Sequence, residues 1–227
     1  MGFLSQLDWH PGLLDPTGKR QDKPRKTGRT MIIDKGLGIH AFEDLLETAA
    51  PYIDMIKIGF GTSVLYPRSV LAKKIELAEK KGICIFPGGT FLEIAVHRQV
   101  VDSFFDMVVS LNFNSIEISD GTIDMTRQLR NEFIQRSIEN GLTVFTEYGK
   151  KSGAELDFEQ LIDTVHQDLE QGAELVTVEA RESGTGVGLF DEQGKCNEED
   201  IYRIAGQFPD NGKHILMWET PLKSQQT

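Results

Sequence analysis

The sequence predicts an α/β fold, a (β/α)8 barrel of the TIM type whose last βα unit is absent. Three observations lead there. Short β-branched runs alternate with helix-period segments at intervals of roughly 25 to 40 residues, the rhythm of a parallel sheet. The turn after the first run, Asp34-Lys35-Gly36-Leu37-Gly38, has no glycine-rich helix start of the kind open doubly wound sheets carry. Run after run also holds a charged residue near its carboxyl end, where barrel enzymes place their chemistry.

Residues 1–29 read as a polar arm punctuated by Pro and Gly, with the basic stretch from Arg20 to Arg29 solvated; residues 30–227 read as a single barrel domain. Strands begin near Thr30, Met55, Gly82, Ser115, Thr143, Leu175 and His214. Helix-like segments fall at 41–50, 69–81, 91–105, 125–140, 157–171 and 198–208, with apolar residues three or four apart, as in Leu161, Val165 and Leu169. Gly82, Gly141 and Gly172, just past three of them, suit the left-handed end of a helix. The strands number seven where a closed barrel has eight.

A formal charge of −11 argues against a nucleic-acid partner, which needs a dense basic surface, while a small anionic substrate needs only a local gathering of basic groups. Cys84 and Cys196 have no metal-ligand spacing and read as reduced thiols of a cytoplasmic protein. No signal peptide is expected from Met1-Gly2-Phe3-Leu4-Ser5, and no stretch approaches the ~20 apolar residues of a membrane span.

The charged strand residues are Asp34, Lys57, Glu117, Glu147, Glu179, Arg181 and Glu219. An isolated charge in an apolar strand is expensive to bury, so several at equivalent ends suggest one polar pocket. Any one of them also fits a structural salt bridge at a barrel rim. Side chains alternate along a strand, which puts Thr177, Glu179 and Arg181 on one face, and Glu117 with Ser119 on another. Converging carboxylates need compensation, and a magnesium ion suits Glu117, Asp120, Glu147 and Glu179. Three glycine-rich turns are candidate anion cradles: Gly59-Phe60-Gly61-Thr62-Ser63, Gly88-Gly89-Thr90, and Gly184-Thr185-Gly186-Val187-Gly188. Each serves equally well as a plain turn. Lys150 and Lys151, after Glu147, are either solvated or acid–base groups. His97 and His166 read as helix surface or packing residues.

Taken in order, Asp34-Lys35-Gly36, Lys57-Ile58-Gly59-Phe60-Gly61-Thr62-Ser63, Pro87-Gly88-Gly89-Thr90 and Ile116-Glu117-Ile118-Ser119-Asp120-Gly121 resemble the phosphosulfolactate synthase family. So do Thr146-Glu147-Tyr148-Gly149-Lys150-Lys151, Glu179-Ala180-Arg181-Glu182-Ser183-Gly184, Gly188-Leu189-Phe190-Asp191 and Lys223-Ser224-Gln225-Gln226, so the likeness runs from about Thr30 to the end. It implies a (β/α)8 barrel lyase, a homo-oligomer, that adds sulfite to phosphoenolpyruvate with magnesium to give (2R)-phospho-3-sulfolactate. The product of that family leads to coenzyme M or to sulfolactate. Its members continue past the Lys-Ser-Gln-Gln string through an eighth strand with an Asn-rich turn, which this sequence does not show. The phosphate pocket is therefore expected to lack a loop.

Joining the resemblance to the residues gives a set of expected roles. Glu117, Asp120, Glu147 and Glu179 form the metal end. Lys151 is the general acid with Lys150 behind it. Lys35, Lys57 and Arg181, with Gly88, Gly89, Gly184 and Gly186, hold the anionic groups of the substrates. Two alternatives stay open: an aldolase-type barrel with Lys57 as Schiff-base nucleophile, and a non-catalytic relative associated with heat stress.

Overall fold

The computed structural model describes residues 10–14, 18, 21–149, 157–180, 185–186 and 189–225. Its strands are β1 (Met31–Asp34), β2 (Met55–Ile58), β3 (Cys84–Pro87), β4 (Ser115–Ile118), β5 (Thr143–Tyr148), β6 (Leu175–Val178) and β7 (Leu216–Trp218). The helices are α1 (Pro11–Leu14), α2 (Ile39–Ala49), α3 (Thr62–Leu65), α4 (Arg68–Lys80), α5 (Thr90–His97), α6 (Val101–Ser110), α7 (Arg127–Glu139), α8 (Phe158–Glu170) and α9 (Glu198–Ala205). Capping is local and legible: the side chains of Thr126, Asp157 and Asn197 accept from the first-turn amides of α7, α8 and α9. Gly82, Gly141 and Gly172 all have positive φ, as the cap positions require.

The ladders between these strands are all parallel and run in sequence order, β1-β2-β3 and β4-β5-β6-β7. Between β3 and β4 side chains take the place of a ladder. Ile85 N–H donates to Asn114 Oδ1 (2.8 Å), Asn114 Nδ2 donates to the Ile83 carbonyl (3.0 Å), and Ser115 Oγ donates to the Ile85 carbonyl (3.1 Å). β1 and β7 are the free edges and line a cleft of about 760 Å³ with Met31, Ile33, Lys35, Met217 and Glu219. Among the described residues this is a (β/α) barrel short of one unit.

Alternation along the strands divides the core into layers. Met31, Met55, Cys84, Phe86, Phe145, Leu175 and Met217 fill the barrel interior, where the Phe86 and Phe145 rings sit 5.1 Å apart. The opposite faces, including Ile56, Ile58, Ile85, Ile116, Ile118 and Val144, pack under helices through Phe42, Leu71, Ile75, Phe105 and Ile134. A second layer, with Leu161, Val165, Val176, Val178 and Ile204, continues under α8 and α9.

The structure departs from the sequence reading in three places. The segment 91–105 is two helices, broken where Gln99 takes a φ of 58° and Val100 leaves the helical region. Asp34 does not face the barrel interior. It shares the outward face of Ile32 and lies fully buried against Lys74 of α4, at 2.6 Å. Of the stretch from Arg20 to Arg29, Arg20 lies outside the described residues, and residues 21–29 are docked through Lys23, Arg25 and Arg29 rather than solvated throughout. Lys23 Nζ donates to the carbonyls of Ile53 (2.6 Å) and Lys81 (3.1 Å), and Arg25 is buried in an ion pair with Asp54 (3.0 Å). Arg29 pairs with Glu174 at 2.7 Å. Free backbone carbonyls at helix ends and the half-buried Asp54 are what this basic segment satisfies.

Candidate active site

Above the apolar plug, the next inward residues of β2, β4 and β5 are Lys57, Glu117 and Glu147. Register pairs Lys57 with Phe86 and Glu117 with Phe145, and each of the three polar residues lies in the carboxyl half of its strand. Lys57 Nζ lies 2.8 Å from Glu117 Oε2 and 2.7 Å from Glu147 Oε2, with both carboxylates buried. Gly89 N–H, at the start of α5, donates to Glu117 Oε2 at 2.6 Å.

One ammonium between two buried carboxylates leaves an excess negative charge. Burial works against charge on Lys57, but the fields of Glu117 and Glu147 and their hydrogen bonds hold it well above the ordinary lysine range. Glu117 is pushed up to about 7, by burial first and by the neighbouring Glu147, against the opposing pull of Lys57 and Gly89. Glu117 Oε1 is buried and has no hydrogen-bond partner among the described residues. The cluster therefore combines a permanent cation, a carboxyl able to take or release a proton near neutrality, and a vacant acceptor.

The remaining expected residues that the structure describes are dispersed around this end of the barrel. Asp120 lies in the loop after β4 and reaches toward Arg130 of α7, Nη1 to Oδ1 3.4 Å. Glu179 is buried just beyond β6, its N–H bonded to the Tyr148 carbonyl (2.9 Å), and a Cβ on Gly149 would meet Glu179 Cβ at 2.8 Å. Lys35 is exposed at the β1 edge of the cleft described above. Lys150, Lys151, Arg181 and Gly184 lie outside the described residues. Glu219, half-buried after β7, accepts from Ala180 N–H (3.0 Å).

The glycine turns are engaged within the fold. Gly88 N–H donates to the Ile58 carbonyl (2.9 Å), and Gly89 N–H is taken by Glu117. Their small size matters for packing. A Cβ on Gly88 would lie 3.3 Å from Lys57 Cε, and one on Gly89 would lie 2.9 Å from Ser119 Cβ. Gly186 has a φ of 61° and donates to the Asp191 carbonyl (2.8 Å).

Among the described residues, no three His, Cys, Asp or Glu side chains are grouped closely enough to hold a metal ion. Glu117 and Glu147 are brought together through Lys57, while Asp120 is turned to Arg130. Two carboxylates with a vacant buried oxygen still fit magnesium, which commonly takes one or two protein carboxylates and completes its shell with water and substrate oxygens.

Four charged residues missed in the sequence support this end of the barrel from the helices. Glu93 of α5, fully buried, accepts from Gly121 N–H (3.1 Å), Thr122 N–H (2.8 Å) and the Ser119 and Thr122 hydroxyls, fixing the loop that carries Asp120. Lys74 does the same for Asp34, and Arg130 pairs with buried Asp168 (2.7 Å). Each lies on the buried stripe of its helix, beside residues such as Leu92, Ile75, Phe133 or Val165, and that placement was the available signal. An apolar cavity of about 410 Å³, lined by Tyr66, Phe91, Phe104 and Met107, lies outside the barrel and away from the carboxylates.

A parallel barrel carrying a buried lysine–dicarboxylate cluster at the carboxyl ends of its strands defines a barrel enzyme. Comparison with known proteins narrows the class. The sequence model of the (2R)-phospho-3-sulfolactate synthase (ComA) family matches residues 18–227, and the chain belongs to that family. It is 39% identical over 202 residues to the phosphosulfolactate synthase of Methanocaldococcus jannaschii, covering 88% of this chain and 79% of that protein. Identity to the phosphosulfolactate synthase of Methanothermobacter thermautotrophicus is 36% over 213 residues, 92% of this chain and 81% of that one. The Bacillus subtilis phosphosulfolactate synthase is 35% identical over 211 residues, 91% and 81% respectively. No helix among the described residues is long and apolar enough to cross a membrane.

Proposed function

We propose that this protein adds sulfite to phosphoenolpyruvate to form (2R)-phospho-3-sulfolactate. The observation that carries the reading is the buried Lys57–Glu117–Glu147 cluster at the barrel's carboxyl end, in a chain of this family. The sulfur lone pair of sulfite forms the C3–S bond. The C2=C3 electron pair moves toward the carboxylate, and a proton then arrives at C2. Both substrates are anions, and negative charge grows on the carboxylate as the bond forms, so a fixed cation beside that group lowers the barrier. Lys57 is such a cation, with Lys35 and Arg181 as further candidates for holding anionic groups. Magnesium held by Glu117 and Glu147 would supply additional neutralisation of that charge.

Lys151, in the loop after Glu147, is the proposed proton donor to C2, with Lys150 raising the local positive charge. The charge state of Lys57 weighs against an aldolase-type reaction, because a Schiff base needs a neutral amine and this one is held as ammonium by two carboxylates. The test is mass spectrometry of the purified protein's reaction with phosphoenolpyruvate, sulfite and magnesium. A product heavier than phosphoenolpyruvate by one sulfite and its proton supports the reading. Unchanged phosphoenolpyruvate alongside folded protein rejects it.

A further inference from the structure

Arg130 is buried, and its guanidinium reaches three separate parts of the structure. Nε and Nη2 grip Asp168 of α8, with Nε 3.0 Å from Oδ1 and Nη2 2.7 Å from Oδ2. Nη2 also donates to the backbone carbonyl of Glu147 at 3.1 Å, and Nη1 points to Asp120 at 3.4 Å. Arg127 shares Asp168 through its own Nη2 and otherwise bonds Asn131 (2.7 Å).

We propose that Arg130 is a positioning residue for the Lys57–Glu117–Glu147 site, setting the aim of Glu147 and the place of Asp120 from outside the barrel. The inference rests on the synthase reading of that site. Holding the Glu147 carbonyl fixes the peptide plane that follows it, and with it the direction in which the Glu147 side chain leaves β5. That direction brings its carboxylate to Lys57 at 2.7 Å. The guanidinium is suited to this because its five donors lie in one rigid plane. An ammonium in the same place could pair with Asp168 but could not also reach the carbonyl and Asp120 along fixed directions. Asp168 keeps the plane from turning, and the pairing holds Asp168 below the usual carboxylate range despite its burial. Arg127 provides an internal comparison: it joins the same carboxylate but touches neither Glu147 nor Asp120.

The test compares Arg130→Lys with Arg127→Gln in the intact chain, using steady-state kinetics and the lysine ammonium NMR signals of the folded protein. Arg130→Lys is expected to lower kcat by about 10²-fold, the scale of a misplaced catalytic group, with little change in KM. It should also shift or broaden the Lys57 ammonium resonance. Arg127→Gln should leave kcat and that resonance as in the parent while lowering stability. If Arg130→Lys does not fold, Asp168→Asn takes its place, since it frees the guanidinium to turn; the same changes are expected. The proposal is overturned if the Lys57 resonance and kcat survive Arg130→Lys, or if Arg127→Gln alters both as strongly. Should the parent protein turn over no sulfite, the synthase reading falls, while the resonance comparison still decides whether Arg130 positions Glu147.

Discussion

Replacing Glu117 by Gln is expected to make the protein more stable above neutral pH while removing its activity. In the parent, Lys57 faces two buried carboxylates, one more than it can balance. Glu117 is consequently pushed from 4.5 to about 7, chiefly by burial and then by Glu147. A carboxyl whose value rises on folding is held protonated by the folded state over a range where the unfolded chain has released its proton. Its contribution to stability is therefore full below about pH 4.5 and falls as pH rises through about 7. Over that window the loss is about 3 kcal/mol at most, since each pKa step is worth about 1.4 kcal/mol. Gln cannot ionise, leaves Lys57 paired one-to-one with Glu147, and keeps a carbonyl for the Gly89 amide. Urea unfolding in EDTA at pH 5 and pH 8 should show the variant gaining on the parent by about 1 to 3 kcal/mol between the two conditions. A variant that is less stable than the parent by the same amount at both pH values would refute this account of the cluster's charge.

Three further outcomes are expected. Lys74→Met leaves the Asp34 carboxylate buried without its cation and should lower unfolding free energy by about 3–5 kcal/mol at pH 7; a loss below about 1 kcal/mol would contradict the pairing. Because Lys74 and two backbone amides hold Asp34 below the usual carboxylate range against its burial, the parent's advantage should fade as pH drops through that range. Gly89→Ala drives a methyl against Ser119 and should cost about 1–3 kcal/mol, read as a lowered urea midpoint, whereas an unchanged midpoint would mean the β4 loop has room to move. Lys151→Ala should cut turnover by about 10²–10⁴-fold if it delivers the proton; a loss under about tenfold would remove it from that role.

Much of the barrel could be read from the chain, for identifiable physical reasons. β-branched runs and helical periodicity located seven strands and the helices between them, because each element buries one face against another. The same alternation put Glu117 on one face with Ser119, and the converging charges suggested one pocket; the structure turns Glu117 and Glu147 inward and joins them through Lys57. Alternation also held the answer for Asp34, which shares the parity of Ile32 and faces α4 rather than the interior. What was not legible depends on contacts distant in sequence. Nothing near Asn114 reveals that its amide replaces a ladder between β3 and β4, or that Lys23 and Arg25 close over helix ends from a segment that looks solvated. Glu93, Lys74, Arg130 and Asp168 carry no motif that singles them out, although each falls on a buried stripe. A charge on such a stripe is as informative as a charge in a strand, since both must find a partner.

If the proposed function is right, sulfite adds to phosphoenolpyruvate at the Lys57–Glu117–Glu147 cluster. Phosphorus NMR of phosphoenolpyruvate with sulfite and magnesium, run with the parent protein, with EDTA, and with folded Lys57→Met, tests it most directly. A new phosphate-ester resonance is expected that requires sulfite and is lost with EDTA and in the variant. No sulfite-dependent resonance from the folded parent, or an equal one from Lys57→Met, would contradict it.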